Sequence, residues 1–155
     1  MLRSLVGSEM CIRDSHKGAL LTLVDRKSLY VHIVHLGPTR ASSQTITCAL
    51  DRLQMSHAYS VTFDNGKEFS EHKRITDAGI ETYFADPYKS IQRARNENTN
   101  GLIRQYLPKS SSFDGVSNEQ IEQIEFALNH RPRKTLGWYT PSEVMAGFYT
   151  VALAA

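Results

Sequence analysis

The sequence predicts an α/β fold in which a mixed sheet carries helices on both faces. Three observations point there: an antiparallel hairpin opens the readable pattern, short strands and helices then alternate, and two amphipathic helices follow. Strands joined through helical crossovers pair in parallel, whereas a hairpin pairs antiparallel, so the sheet is mixed. At 155 residues the chain is one domain, long enough to bury a core.

Each element rests on a local signal. Residues 19–24 (ALLTLV) are rich in Leu, Thr and Val and read as a buried strand. Asp25-Arg26-Lys27-Ser28 is a turn, and residues 29–36 (LYVHIVHL) form the return strand, ended by Gly37-Pro38. Thr39 then caps a helix with Ile46, Ala49, Leu50 and Leu53 on one face. Residues 59–63 are a short strand running into Asp64-Asn65-Gly66, which is good turn chemistry. A polar helix is expected over 67–78, stopped by Gly79. A short strand over 80–84 follows, and Asp86-Pro87 opens a loop. A long helix begins between Ser90 and Asn96 and ends at Leu107, before Pro108. The serine-rich loop 110–112 leads to a last good helix over 118–129, which carries Ile121, Ile124, Phe126 and Leu128. A short helix is expected over 141–146. The expected core includes Leu21, Leu23, Val31, Ile33, Ile46, Leu50, Ile103 and Ile124.

Composition narrows the classes. The longest apolar run is too short to cross a membrane, and no leader pattern stands at the N-terminus. Two cysteines, Cys11 and Cys48, make no disulfide framework, which suits a reducing, cytoplasmic setting. A net charge of +2 does not by itself argue for nucleic acid, but its distribution is uneven. Lys89, Arg93, Arg95, Arg104 and Lys109 surround a single acid, Glu97, and Arg131, Arg133 and Lys134 form a second cluster. Such patches suit phosphate backbones, and solvated polar faces are the bland alternative.

On the long helix, about 100° per residue places Glu97, Asn100, Gly101 and Arg104 on one side, with Leu102, Ile103 and Tyr106 turned to the core. Asp64 ends a strand and Glu97 rides a helix that returns toward the sheet. Two acids from different elements are what a divalent ion needs; taken singly, each reads as a turn Asp or a solvent-facing Glu. His16, His32 and His35 show no zinc spacing with Cys, and His72 reads as a surface residue of a polar helix.

Whole phrases carry more weight. HKGALLTLVDRKSLY, VTFDNGKEF-x-EH, D-P-x-x-x-x-Q-R-x-x-NENTNGLIRQYLPK and ALNHRPRKTLGWYTPSEV, spread from His16 to Ala146, strongly resemble the catalytic core of bacterial insertion-sequence transposases of the IS-thirty family. That family lies within the DDE transposase and retroviral-integrase superfamily. The resemblance implies an RNase H-like fold with a five-stranded sheet, dependence on Mg²⁺ (or Mn²⁺), and cutting and joining of DNA at transposon ends. It implies DNA and further copies of the protein as partners. Asp64 resembles the second acid of the triad and Glu97 the third, both as catalytic residues and metal ligands. Arg93, Asn98, Asn100, Arg104 and Lys109 are the expected DNA contacts, with a solvated helix face as the alternative. Arg131 and Arg133 either touch DNA or pin the C-terminal segment to the last helix, the structural role being favoured. Trp138 and Tyr139 read as packing in preference to base stacking.

The chain departs from the family at its start. The family's first Asp, in a Trp-Glu-Gly-Asp-like phrase, and its helix-turn-helix region are missing. The chain instead begins MLRSLVGSEMCIRDS. A gapless extension places Glu9 at the first Asp, which reads as coincidence at a junction with unrelated sequence; Asp14 is the other nearby acid. Ala94 and Arg95 stand where the family usually has Gly and Thr. Residues 1–15 are thus expected to be foreign to the family and 16–150 to be the core. In such a sheet the first strand is central, so either the segment around 7–13 fills that place or the fold is badly destabilised. Leu5, Val6, Met10, Cys11 and Ile12 are apolar enough to try. The expectation is a truncated transposase core, inactive for want of the first acid. The alternative is a non-catalytic DNA-binding or dimerising fragment. A plain RNase H-like nuclease has no support in these phrases.

Overall fold

The computed structural model describes residues 3–6, 12–13, 18–37, 42–56, 58–63, 69–86, 90–108 and 113–147, with the backbone alone at 3–6, 12–13, 42, 90–96 and 114. The strands are β1 (Arg3–Val6), β2 (Ile12–Arg13), β3 (Ala19–Asp25), β4 (Val31–His35), β5 (Ala58–Phe63) and β6 (Glu81–Phe84). The helices are α1 (Ser42–Met55), α2 (Lys73–Asp77), α3 (Ser90–Tyr106), α4 (Asn118–Asn129) and α5 (Pro141–Met145). The sheet is mixed, as expected: β1 runs parallel to β5 and β5 to β6, while β1, β2 and β4 are antiparallel to β3.

Among the described residues six strands stand where five were expected, because the place beside β3 is taken by two pieces of chain. Leu20 pairs with His35 on one side and Ile12 on the other; Val24 pairs likewise with Val31 and Val6. So β1 and β2 share the side of β3 away from β4. From Val24 to Leu20 is four steps on β3, against six steps from Val6 to Ile12 on the opposing chain. The central place between β3 and β5 is filled by β1. It was expected to be filled from around 7–13, and the pairing begins earlier, at Arg3 against β5 and at Leu5 against β3.

Strand β3 is buried along its whole length because each face meets a different helical layer. Ala19, Leu21 and Leu23 join Ile46, Ala49, Leu53, Val61, Phe63, Phe69 and Ile75 under α1 and α2. Leu20 and Val24 join Val31, Ile33, Ile103, Leu107, Ile121, Ile124 and Leu128 under α3 and α4. A strand covered on both faces reads as a continuous apolar run, which is why 19–24 was legible. Of the eight residues named as the expected core, Leu21, Leu23, Val31, Ile33, Ile46, Ile103 and Ile124 are buried, and Leu50 packs half-buried against the first cluster.

The β3–β4 turn is closed by the buried Asp25 carboxylate, which accepts from the Lys27 and Ser28 N–H groups and from the Ser28 hydroxyl. This acid is saturated by its own turn. Strand β4 is an edge among the described residues, and α4 covers it. The Asn129 side chain accepts from Val31 N–H and donates to Val31 C=O, both at 2.8 Å. Glu125 Oε2 accepts from Ile33 N–H at 2.8 Å. Four helical residues rise about 6 Å and two strand residues about 6.8 Å, so residues 125 and 129 match residues 33 and 31.

The helix expected over 67–78 is shorter, Lys73–Asp77. Phe69 is buried and stacks on Phe63 with ring centroids 5.0 Å apart, and His72 meets the Phe84 ring edge-on at 4.8 Å. Those two anchors hold the approach in a tighter turn, and the helix begins only after His72. Thr39 and the loop 110–112 lie outside the described residues. α4 matches its expected bounds and starts from a capping box between Ser117 and Gln120.

Candidate functional site

Three parallel strands end on one edge of the sheet. Phe63 and Phe84 are register partners at the ends of β5 and β6, and the Phe63 carbonyl accepts from Ala85 N–H at 2.7 Å. β1 runs in the same sense beside β5. Ligands of open α/β sheets bind beyond the carboxyl ends of the strands. The stacking of Phe63 on Phe69 fixes the end of β5 in the core. Asp64 is the next residue in sequence and lies outside the described residues, as do Glu9, Asp14 and Lys109.

The chain leaves β6 at this edge and enters α3 only a few residues later. Glu97 lies seven residues into that helix, about 10 Å along its axis, and its side chain is exposed. Asn98 is exposed beside it. Arg93 stands in the helix with its backbone alone described. Arg104 is half-buried, its guanidinium 5.9 Å from the centroid of the buried Phe113 ring.

The helix is rotated from the expected orientation. Among its described side chains the buried ones are Thr99, Asn100 and Ile103, and Leu107 just past its end is buried too, at the spacing of one stripe. Asn100 is therefore turned inward at 7% exposure, and Tyr106, expected in the core, is exposed. The Asn100 Nδ2 has no hydrogen-bond partner among the described residues. A buried amide donor without a partner asks for an acceptor that a bound group would supply.

The second basic cluster is partly structural. Arg133 donates to the Leu128 carbonyl at 3.2 Å, tying the C-terminal segment to the end of α4 as expected. Burial, and then Arg131, lowers its pKa. Arg131 donates to Gln105 Oε1 at 3.2 Å, linking α4 to α3. His72 is half-buried and donates through Nδ1 to the Phe69 carbonyl, so it is a hinge of the α2 entrance more than a surface residue. A further aromatic expectation is corrected: Trp138, read as packing, is 69% exposed. Phe126 on α4 is 64% exposed and stacks on His130 at 3.9 Å. The sequence reading passed over Asn129; its signal was an amide in the last turn of an apolar helix, where a buried polar group must have a partner.

The metal test is one of donor chemistry. Glu97, the described member of the expected pair, offers an accessible carboxylate, the oxygen ligand that Mg²⁺ takes. Among the described residues no group of three His, Cys, Asp or Glu is placed to hold an ion. Cys48 is a free, half-buried thiol whose pKa is raised first by burial. No described helix is long and apolar enough to cross a membrane.

The class follows from the fold. The chain superposes on the catalytic core domain of BIV integrase with a TM-score of 0.67, covering 91% of this chain and 95% of that one at 19% identity. A chain of a simian T-cell lymphotropic virus intasome in complex with PP2A regulatory subunit B56 gamma gives 0.69, covering 94% of this chain and 57% of that one at 19% identity. The architecture is thus an RNase H-like fold of the kind those two structures share. Sequence narrows it further. The chain is 46% identical over 135 residues to the transposase of insertion sequence element IS4351 from Bacteroides fragilis, 85% of this chain and 41% of that protein. It is 41% identical over 136 residues to the transposase InsI of IS30A from Escherichia coli K12, 86% of this chain and 35% of that protein. It is 39% identical over 134 residues to the transposase of IS1086 from Cupriavidus metallidurans, 84% of this chain and 40% of that protein. Over most of its length the chain is thus similar to insertion-sequence transposases, that of IS30A among them, and it spans about two-fifths of the length of the relatives it matches. No family model matches it.

Proposed function

We propose that this chain is the DNA-processing core of an insertion-sequence transposase, built to cut DNA at transposon ends and join it to a target. The observation that supports the reading best is the shared carboxyl edge of the parallel strands beside the helix that carries Glu97, in a chain related to transposases over most of its length. Asp64 and Glu97 would hold a divalent ion, Mg²⁺ or Mn²⁺. A pair of such ions would activate the attacking oxygen and stabilise the leaving one. Arg93, Asn98, Arg104 and Lys109 would take DNA phosphates along and beyond α3. Asn100 differs from them, since its buried donor would serve a group inside the site. Further copies of the chain would complete the working assembly.

The proposal extends to the chain's start. Residues 1–15 are a segment foreign to the family and 16–150 are the core. The first acid of the family pattern is then absent, and Glu9 at that position carries a carboxylate one methylene too far out. A displacement of about an ångström at a reacting centre costs about 10²-fold in rate. The chain as written therefore binds DNA but does not transfer strands. A metal-dependent cleavage and joining assay on transposon-end DNA tests this, using this chain and a version with a native-like Asp-bearing first strand grafted before His16. Activity is expected in the graft alone, abolished there by Asp64→Asn or Glu97→Gln. Robust activity of the unmodified chain, lost on Glu9→Gln, overturns the inactive reading. A graft that binds DNA but stays inert favours the non-catalytic binding fragment.

A further inference from the structure

We infer that Trp138 is a stacking platform for an unpaired DNA base, held out from the protein by a left-handed turn among phosphate-binding cations. The turn is closed from within. The N–H groups of Leu136 and Trp138 both donate to the Arg133 carbonyl, at 3.0 and 2.9 Å, and Arg133 N–H donates to the Tyr139 carbonyl at 3.0 Å. Two successive left-handed residues are needed, Gly137 at φ 63° and Trp138 at φ 69°. Glycine enters that region freely; a tryptophan does so against its own Cβ. Leu29 has the same sign of φ at the β3–β4 turn, but its side chain is half-buried. Trp138 gains no burial in return, being 69% exposed. Backbone strain that displays a large aromatic to solvent points to a ligand.

The surroundings set the class of that ligand. Between residues 127 and 142 there is no acid, while His130, Arg131, Arg133 and Lys134 fall within five positions. Arg131 and Lys134 are exposed, and Arg133 is anchored on the Leu128 carbonyl at the root of the turn. The nearest acid in sequence after them, Glu143, is engaged in capping α5 at Thr140. An aromatic face beside fixed cations fits a nucleic-acid strand, whose bases stack while its phosphates are neutralised. Base pairs inside a duplex offer no free face, so the partner is a single-stranded segment or an opened end. The inference takes its partner class from the transposase reading but does not depend on Asp64 or Glu97.

The chain contains a single tryptophan, so its emission reports this residue alone. Titration with a single-stranded oligo-dT of about 12 nucleotides should quench that emission and shield it from iodide. By anisotropy of the labelled oligonucleotide, Trp138→Gly should bind about 5- to 150-fold more weakly, with Trp138→Phe retaining most of the affinity. Glycine adopts the same φ without strain, so unchanged or raised thermal stability of Trp138→Gly separates lost stacking from lost fold. Lys134→Ala should lower the salt slope by about one and leave the quenching in place. The inference is overturned if the single strand does not bind or binds with emission unchanged. It is also overturned if Trp138→Gly weakens blunt duplex and single strand equally, or if emission responds to protein concentration alone, which would mark a contact between copies. Asp64→Asn should leave the quenching intact, so a failure of the catalytic proposal does not bear on it.

Discussion

Removing the Asn129 side chain should cost more stability than any surface change in this protein. Its amide sits at 1% exposure and meets both backbone groups of Val31 at 2.8 Å, acting as a strand partner for the outer side of β4. Asn129→Ala leaves a buried N–H and a buried C=O without partners, at about 1–3 kcal/mol each, so about 2–6 kcal/mol together. Against a total of about 5–15 kcal/mol for a domain, that is a large share. At about 2–4 °C per kcal/mol for a chain of this size, Tm should fall by about 10 °C. Asn129→Asp keeps the acceptor for Val31 N–H but faces the Val31 carbonyl with a second acceptor, and should recover little. Urea unfolding gives the free energy, and hydrogen exchange at Val31 N–H gives the local effect. A loss below about 0.5 kcal/mol for Asn129→Ala, with Val31 still protected, would show that α4 does not serve as the missing strand.

Two further expectations concern charge. Arg104→Ala should weaken binding to unrelated DNA sequences about equally and lower the salt slope by about one unit; an unchanged slope with lowered stability would assign Arg104 to its contact with Phe113. Hydrogen bonds from the Thr140 backbone, then from its hydroxyl, lower the Glu143 pKa. A depressed carboxylate contributes its stability above the unfolded value and loses it as pH falls through the folded one. The cap of α5 should therefore hold throughout the neutral range and loosen only below the usual glutamate range. The Thr140 amide shift followed by NMR against pH checks this, and a midpoint at or above the ordinary value would refute it.

What was legible in the sequence was what one periodicity decides. β3 announced itself because both its faces are buried, and α4 because Ile121, Ile124 and Leu128 repeat at helical spacing and are all buried. What was not legible depended on the choice between two nearly equal faces. On α3 the stripe through Thr99, Ile103 and Leu107 won over the one through Leu102 and Tyr106, and Asn100 was carried inward with it. Polar residues on a buried stripe defeat a reading that sorts by polarity. Trp138 was misread for the converse reason, since a large aromatic is placed in the core by default and only its left-handed turn keeps it out. The short α2 escaped because the anchoring of Phe69 and His72 on Phe63 and Phe84 is tertiary, and local propensity carries no trace of it.

The centre of the sheet separates folding from chemistry. β1 holds its place through backbone pairing with β3 on one side and β5 on the other. Ladder hydrogen bonds use N–H and C=O groups that every residue except proline carries, so many apolar sequences can fill a strand place between two committed neighbours. A catalytic carboxylate is a different demand, because one side chain must stand at one register position with the right length. A strand of unrelated sequence can therefore satisfy a sheet without satisfying a site. The proposed loss of strand transfer is therefore compatible with an intact sheet, since it rests on one carboxylate and not on the backbone ladder.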